Sequence, residues 1–158
     1  MRSNFKNRIS VPQTPFNRAL KYLSFRPRST KEMYDYLLKK KYSEEDINET
    51  LKQLVELHFL DDDDFARLFA ESRQRKGKSK RLISYELKQK GIGKEQAEKT
   101  LETAASDLKT ALEYIQKRSR QFERYDTEER NKKITSRLVS RGYGWDIISK
   151  ILKKINNI

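Results

Sequence analysis

The chain has 158 residues, and 37% of them are charged against 35% that are hydrophobic, which leaves little apolar material for a thick central core. Its 36 Lys and Arg residues against 23 Asp and Glu residues give a net charge of +13, which favours a polyanionic partner such as nucleic acid, an acidic protein surface or anionic lipid. Cysteine is absent, which excludes disulfides and thiolate zinc sites. No apolar run approaches the roughly 18 residues of a membrane span, so we expect a cytoplasmic location.

Residues 1–13 are polar and basic, and they show no periodic apolar face. The stretch from Met1 to Lys31 contains eight basic residues and no acidic one. This composition predicts a flexible basic arm over residues 1–13 that contacts phosphate or carboxylate groups. A frayed terminus without a binding role is the alternative.

Local signals then predict three helices. Thr14 and Pro15 form an N-cap and first-turn pair, because proline needs no backbone donor at the start of a helix. Ser29 followed by Glu32 makes a capping box at the start of the second helix, and a third helix begins after Ser43. The apolar residues assigned to the inner face of the third helix are Ile47, Leu51, Leu54 and Val55.

The same apolar pattern recurs twice along the chain. A shift of 50 residues places Met33 on Ile83, and a further shift of 51 places Ile83 on Ile134. Such a tandem pattern predicts units that bury one face against their neighbours. We therefore expect an all-α fold of three tandem three-helix repeats, 14–59, 60–106 and 107–158, that form an elongated, curved helical array. The predicted helices are 15–25, 30–41, 44–58, 62–76, 79–90, 94–105, 107–122, 127–141 and 145–156.

One turn position distinguishes the first repeat from the other two. Gly91 and Gly142 stand where a helix ends in a left-handed residue, a conformation that glycine adopts without a Cβ penalty. Lys41 occupies the equivalent position in the first repeat. We expect its turn to be strained or differently closed.

Residue types that carry catalysis are sparse. His58 is the only histidine, and its place at the inner end of a helix predicts a packing or capping role. Asp61–Asp64 bring four carboxylates together, but consecutive helical residues point in different directions and no calcium loop follows. We expect them to cap the fourth helix, and we expect no metal, no cofactor and no enzymatic activity, since the chain also lacks a glycine-rich phosphate loop.

The densest positive charge lies between residues 73 and 90, a segment that we call the 73–90 strip. Glu86 is its only acidic residue. Such a strip neutralises phosphates or pairs with the carboxylates of a partner protein, and the alternative is a solvated helix face. The residues assigned to binding are Arg73, Arg75, Lys76, Lys78, Lys80, Arg81, Lys88 and Lys90, aided by Arg26, Arg28, Arg137 and Arg141.

Aromatic residues accompany this charge at Tyr85, Phe122, Tyr125, Tyr143 and Trp145. Tyr143 replaces an isoleucine at a repeat-equivalent core position, so packing is the favoured role for it. Trp145, at a helix start, is the better exposed candidate for stacking on a base.

Two segments resemble, in the right order, the signatures of the RecX family, the regulators of the recombinase RecA. They are LDDDDFARLFAESR, residues 60–73, and RKGKSKRLISYELKQKGI, residues 75–92. The matching positions are Leu60, Asp61, Asp62, Phe65, Ala66, Gly77, Arg81, Ile83, Glu86, Leu87, Lys90, Gly91 and Ile92. Ser79 and Lys80 depart from the Gly-Pro that is usual in the family, and Lys41 departs from its glycine.

The resemblance extends from Arg18 to Lys154. It implies a monomeric, non-enzymatic regulator that lies in the groove of the RecA filament on DNA and restrains filament growth, ATP hydrolysis and strand exchange. The phosphate-type charge of the 73–90 strip also leads us to expect sequence-independent contact with single-stranded or duplex DNA. The alternative is a helix-turn-helix protein that reads a DNA groove independently of RecA. A lipid-surface or scaffold role is disfavoured, because no large apolar patch adjoins the basic faces.

Overall fold

The computed structural model describes residues 13–157, and the regular structure in this range is entirely helical. The helices are α1 (Pro15–Leu23), α2 (Thr30–Lys39), α3 (Glu44–Glu56), α4 (Asp62–Arg75), α5 (Lys80–Gln89), α6 (Lys94–Glu102), α7 (Asp107–Gln116), α8 (Thr127–Ser140) and α9 (Trp145–Asn156), with a 3₁₀ turn at Ser119–Gln121. This confirms the all-α prediction and the three three-helix repeats. The predicted basic arm lies outside the described residues except for Gln13, and the three repeat boundaries stay predictions.

The chain divides into two compact units, of which the first ends at Asp61 and the second begins at Asp62. In the first unit, α1, α2 and α3 enclose a core in which every side chain is at most 2% exposed. Partly buried tyrosines pack around this core. The core residues are Ala19, Met33, Leu37, Ile47, Leu54 and Leu60.

The predicted helix starts of the first unit are confirmed at the level of single hydrogen bonds. The Thr14 hydroxyl accepts from the Asn17 amide at 3.2 Å. The Ser29 hydroxyl accepts from the Glu32 amide at 3.2 Å, and the Glu32 carboxylate accepts from the Ser29 amide at 3.3 Å. These bonds satisfy backbone donors that the helix itself leaves unpaired.

The end of α3 corrects two expectations. Val55 follows the buried Leu54 directly, and successive helical residues point in different directions, so Val55 lies on the outer surface, 48% exposed, instead of on the inner face. His58 is exposed too, so the packing role is wrong, but its left-handed backbone with φ of 60° caps the end of α3, and its amide donates to the Val55 carbonyl at 3.0 Å. The chain reverses here because the amides of Phe59 and Leu60 both donate to the Leu54 carbonyl, at 2.8 and 3.1 Å. Leu60, rather than His58, therefore turns into the core.

The second unit contains two cores, one for each of its three-helix repeats. The first lies among α4, α5 and α6 and is built from Phe65, Ala66, Ala70, Ile83, Leu87, Ile92, Ala97 and Leu101. The second lies among α7, α8 and α9 and is built from Ala111, Tyr114, Ile115, Phe122, Ile134, Leu138, Tyr143, Ile148 and Ile151. The repeat-equivalent residues Met33, Ile83 and Ile134 are at most 1% exposed, which confirms the shifts read from the sequence.

The left-handed turn after the second helix of each repeat closes in the same way in all three. Lys41 has φ of 68°, against 82° for Gly91 and 87° for Gly142. The Lys41 amide donates to the Leu38 carbonyl at 2.9 Å, as the Gly142 amide donates to that of Val139 at 2.9 Å. Lys41 thus holds a conformation that costs a residue with Cβ about 1–2 kcal/mol. The turn is strained rather than differently closed.

The predicted helix 107–122 is too long. Helix α7 ends at Gln116, and the 3₁₀ turn Ser119–Gln121 carries the chain towards α8. Phe122 is only 3% exposed in the core of the third repeat. The other helix ends lie within three residues of their predicted positions.

Candidate partner-binding surface

Three charged residues of the 73–90 strip contact one another inside the second unit. The Arg73 Nε atom lies 2.7 Å from a Glu86 carboxylate oxygen, and the Lys78 ammonium donates to the other oxygen of the same carboxylate. The Arg73 guanidinium also lies 4.4 Å from the centroid of the Phe69 ring. All three charged side chains are about one quarter exposed. Arg73 and Lys78 therefore fasten α4 and the following turn to α5.

Lys80 has a similar internal role. Its ammonium donates to the Leu101 carbonyl at 2.7 Å, and its backbone amide donates to the Asp107 carboxylate at 2.8 Å. The second bond requires a residue other than the proline that is usual in the family, because proline has no amide hydrogen to donate. Lys90, the C-cap of α5, is half-buried and has an interaction partner of its own.

Four residues of the strip remain exposed, and none of them pairs with a carboxylate among the described residues: Arg75, Lys76, Arg81 and Lys88. Arg75 and Lys76 lie at the end of α4, and Arg81 begins the exposed face of α5. Tyr85, 61% exposed, lies between Arg81 and Lys88 at helical spacings of four and three, so these three residues share one face. We call these four cations and Tyr85 the open cationic face.

The two arginines of the first unit are tied to their own neighbours. Arg26 makes a bidentate pair with Glu32, at 2.8 and 3.2 Å, and this hydrogen bonding raises the pKa of the guanidinium. Arg28 stacks 3.7 Å from the centroid of the Tyr22 ring, which in turn stacks on Tyr36 at 3.8 Å. Their binding role stays a prediction, and within the first unit both side chains support the local fold.

Arg137 and Arg141 differ in exposure. Arg137 is exposed, and it donates to the Gln121 side-chain oxygen at 3.0 Å. Arg141 is half-buried, and its guanidinium lies 4.1 Å from the centroid of the Tyr114 ring. Its carbonyl accepts a hydrogen bond from the Ser79 amide at 3.0 Å, which links the end of α8 to the start of α5.

The third repeat presents a basic pocket that the sequence analysis missed. Its volume is about 450 Å³, and none of the residues that line it is acidic. We call it the α7–α8 pocket, and its cations are Arg120, Arg124, Lys133 and Arg137. The run KRSRQFER, residues 117–124, indicates clustered positive charge. Because most of it was assigned to one long helix, in which successive side chains point in different directions, its cations were not expected to share a site.

The aromatic predictions are confirmed as far as exposure is concerned. Trp145 is 66% exposed at the start of α9, whereas Tyr143 is 3% exposed in the core of the third repeat. Burial, followed by the nearby charge of Asp107, raises the pKa of Tyr143, and the smaller effect of Arg141 opposes this rise. Contact of Trp145 with a base stays a prediction.

The acidic run lies at the start of α4, where negative charge favours the positive end of the helix dipole. Asp64 pairs with Arg67 at 2.5 Å, and Asp63 accepts from the Gln96 side chain at 2.7 Å. Within residues 13–157, no three His, Cys, Asp or Glu side chains are placed to share a metal ion. No helix in that range has the length and apolar character needed to cross a membrane.

Three family models match the chain one after another. The models of the first, second and third three-helix domains of RecX match residues 16–54, 61–101 and 105–152. These matches coincide with the three groups of helices in the structure.

Curated relatives carry the same family name. The regulatory protein RecX of Prosthecochloris aestuarii is 36% identical over 143 residues, which cover 88% of this chain and 91% of that protein. The regulatory protein RecX of Bacillus velezensis is 32% identical over 142 residues, which cover 88% of this chain and 54% of that protein. The chain thus spans about half the length of the Bacillus relatives that it matches.

Solved structures agree with this match. A crystal structure of RecX from Lactobacillus salivarius has a TM-score of 0.74 and 25% identity, and the match covers 91% of this chain and 96% of that one. A second RecX crystal structure, 23% identical with a TM-score of 0.71, supports the fold. The chain therefore belongs to the RecX family of regulatory proteins.

Proposed function

We propose that this protein binds the RecA nucleoprotein filament in its groove and restrains filament growth, ATP hydrolysis and strand exchange during recombination and DNA repair. Family membership and the match to all three RecX domains support a regulatory role. The resemblance of the two signature segments points to RecA as the regulated protein.

The observation that carries the proposal is the open cationic face. Its four cations are exposed and lack carboxylate partners among the described residues, so they are available to an external anion. Arg73 and Lys78 share the single Glu86 carboxylate, which compensates part of their charge and holds both side chains in place, so we expect them to contribute less. A groove lined by protein carboxylates and DNA phosphates supplies the complementary charge.

This surface recognises charge and shape rather than base sequence. Lysine and arginine side chains that pair with phosphate displace condensed counterions, so the affinity for DNA falls steeply as salt rises. Tyr85 adds an aromatic ring between Arg81 and Lys88, which suits a partner with both apolar and acidic groups. We therefore expect salt-sensitive, sequence-independent contact with the filament and its DNA.

The protein acts by binding alone in this proposal. It works as a monomer in the cytoplasm, without a cofactor and without breaking a covalent bond. Contacts that bridge neighbouring RecA protomers then restrain the filament. Such bridges oppose the conformational changes that accompany the addition of RecA protomers, ATP hydrolysis and strand exchange.

The direct test titrates the protein into RecA on single-stranded DNA and follows ATP hydrolysis and filament length together. We expect both to fall as the protein is added, with the effect weakening at higher salt. Unchanged ATP hydrolysis and filament length at saturating protein would contradict the proposal. Sequence-specific duplex binding in the absence of RecA would instead favour the helix-turn-helix alternative.

A further inference from the structure

The α7–α8 pocket is a concave surface built around a sharp change of chain direction. The 3₁₀ turn supplies Arg120 and Gln121, and Arg124 follows before α8 begins. Lys133 and Arg137 stand four residues apart on α8, so they project from the same face of that helix. Two segments that are separate in sequence thus bring four cations to one cavity.

Arg137 is held in place by groups that leave its charge uncompensated. Its Nη1 atom donates to the Gln121 side-chain oxygen at 3.0 Å, and its guanidinium lies 5.3 Å from the centroid of the Phe122 ring. Gln121 is neutral, and Phe122 is anchored in the core. The guanidinium is therefore preorganised for an anion, which lowers the entropy that binding costs.

The Tyr125 ring positions two further cations. The Arg124 guanidinium and the Lys133 ammonium lie 4.8 and 4.5 Å from its centroid. Lys133 also lies 3.5 Å from a carboxylate oxygen of Glu129, in a pair that is about half exposed. Such an exposed pair contributes little and yields readily to a stronger anion. The ring thus concentrates positive charge at the pocket, while its association with cations leaves it less available to stack on a base.

We propose that the α7–α8 pocket binds backbone phosphates of a nucleic-acid single strand. Four cations in one cavity exceed the charge of a single carboxylate, whereas successive phosphodiesters supply one negative charge per nucleotide. The volume of about 450 Å³ lies in the range of small-ligand sites and admits a nucleotide unit. A flexible single strand can bend its backbone into a cavity of this size, whereas a duplex is wider and stiffer, so we expect the pocket to prefer a single strand.

This site shares no residue with the open cationic face. The identity of the bound strand rests on the proposed function, whereas the binding of a single strand as such does not. In a nucleoprotein filament the strand is the DNA that the recombinase carries. Recognition through phosphates predicts equal binding of strands with different sequences. The site gives the protein a direct contact with nucleic acid in addition to its contact with RecA.

The test uses the full chain and fluorescence anisotropy of a labelled short oligothymidylate across a series of salt concentrations, without RecA. The site variant is Arg120→Gln with Arg124→Gln. The control is Lys99→Gln with Lys109→Gln, which removes the same charge from exposed positions outside the pocket. A duplex that contains the same strand is the second arm, and circular dichroism verifies that each variant is folded.

We expect the site variant to bind the single strand about tenfold more weakly than the control. The negative slope of log affinity against log salt should become shallower by about 1.4, roughly 0.7 for each of two lost phosphate contacts. Equal affinity and slope for the two variants would overturn the site. An equal loss on the duplex would overturn its preference for a single strand.

The proposed function is measured independently by the effect of the wild-type protein on RecA ATP hydrolysis. Inhibition by a site variant that binds the oligonucleotide like the control would reject the pocket and leave the proposed function intact. If the wild-type protein binds the oligonucleotide through this pocket but does not inhibit RecA, the proposed function is rejected and the pocket is kept.

Discussion

The backbone amide of Ser79 donates a 3.0 Å hydrogen bond to the carbonyl of Arg141, and this bond joins the second repeat to the third. Ser79 is fully buried, and its hydroxyl caps α5 by accepting from the Leu82 amide at 3.2 Å. Gly142 follows Arg141 with φ of 87°. The turn that ends α8 is therefore packed directly on the start of α5, without room for a side chain.

Gly142→Ala should lower the free energy of unfolding by about 2–3 kcal/mol, because it combines left-handed strain with a steric clash. A Cβ atom at this position would lie 2.5 Å from the Ser79 hydroxyl oxygen and 2.8 Å from the Leu82 Cβ. Gly93→Ala is the control: its Cβ meets nothing within 4 Å and its φ is −64°, so it should lose only the smaller preference for glycine over alanine at the N-cap of α6. Chemical denaturation compares the two variants. Equal stability would contradict the packing at the repeat junction.

Lys41→Gly should raise the free energy of unfolding by about 0.5–1 kcal/mol. The left-handed strain at Lys41 disappears, and the greater freedom of glycine in the unfolded chain offsets part of the gain. Lys40→Gly is the control, because Lys40 has φ of −82° and carries no such strain. We expect this control to be less stable than the wild type. Denaturation midpoints that fall equally for both variants would remove the argument for strain.

The bond between the Lys80 amide and Asp107 predicts a conditional effect of Asp107→Ala. In a Lys80→Ala background the amide is retained, and the substitution should cost about 1–2 kcal/mol. In a Lys80→Pro background the donor is absent, so the same substitution should cost much less. Thermal denaturation of the four proteins measures both differences. An equal cost in the two backgrounds would show that the hydrogen bond contributes nothing.

Tyr143 predicts a loss of stability at alkaline pH. Its pKa is raised in the folded state, chiefly by burial, so the native protein retains the phenolic proton at a pH where the unfolded chain has lost it. The contribution of the protonated Tyr143 to the free energy of unfolding is complete below the ordinary tyrosine pKa of about 10 and decreases as pH rises above that value. Tyr143→Phe removes this dependence. Its stability at neutral pH should be equal or higher, because the buried hydroxyl has no hydrogen-bond partner in the described part of the chain.

Chemical denaturation of the wild type and of Tyr143→Phe, at neutral pH and at pH values above about 10, measures the difference in their free energies of unfolding. The advantage of the variant should grow with pH. A constant difference between the two proteins across this range would contradict the buried, protonated state of Tyr143.

Periodicity predicted the core because burial repeats at fixed spacing. Met33, Ile83 and Ile134 were aligned from the sequence alone, and all three are buried. The capping box at Ser29 was equally accessible, since it depends on residues three apart. These features are local, and neighbouring residues in the chain determine them.

The distinction between internal and available cations was not accessible from sequence. Arg73 and Glu86 are 13 residues apart and meet only after α4 packs against α5. Lys80 and Leu101 are 21 residues apart and meet only after α5 packs against α6. A count of charges in the 73–90 strip therefore overestimated its free charge. The α7–α8 pocket was missed because it depends on a turn where a continuous helix was predicted.

The most direct test of the proposed function reverses three cations of the open cationic face, with Arg75→Glu, Lys76→Glu and Arg81→Glu combined in one variant. Lys94→Glu, Lys99→Glu and Lys109→Glu form the control, which has the same net charge at other exposed positions. Inhibition of RecA ATP hydrolysis on single-stranded DNA is then titrated with each folded protein. We expect the control to inhibit like the wild type and the face variant to require at least about tenfold more protein. Equal inhibition by the face variant and the control would contradict the proposed binding surface.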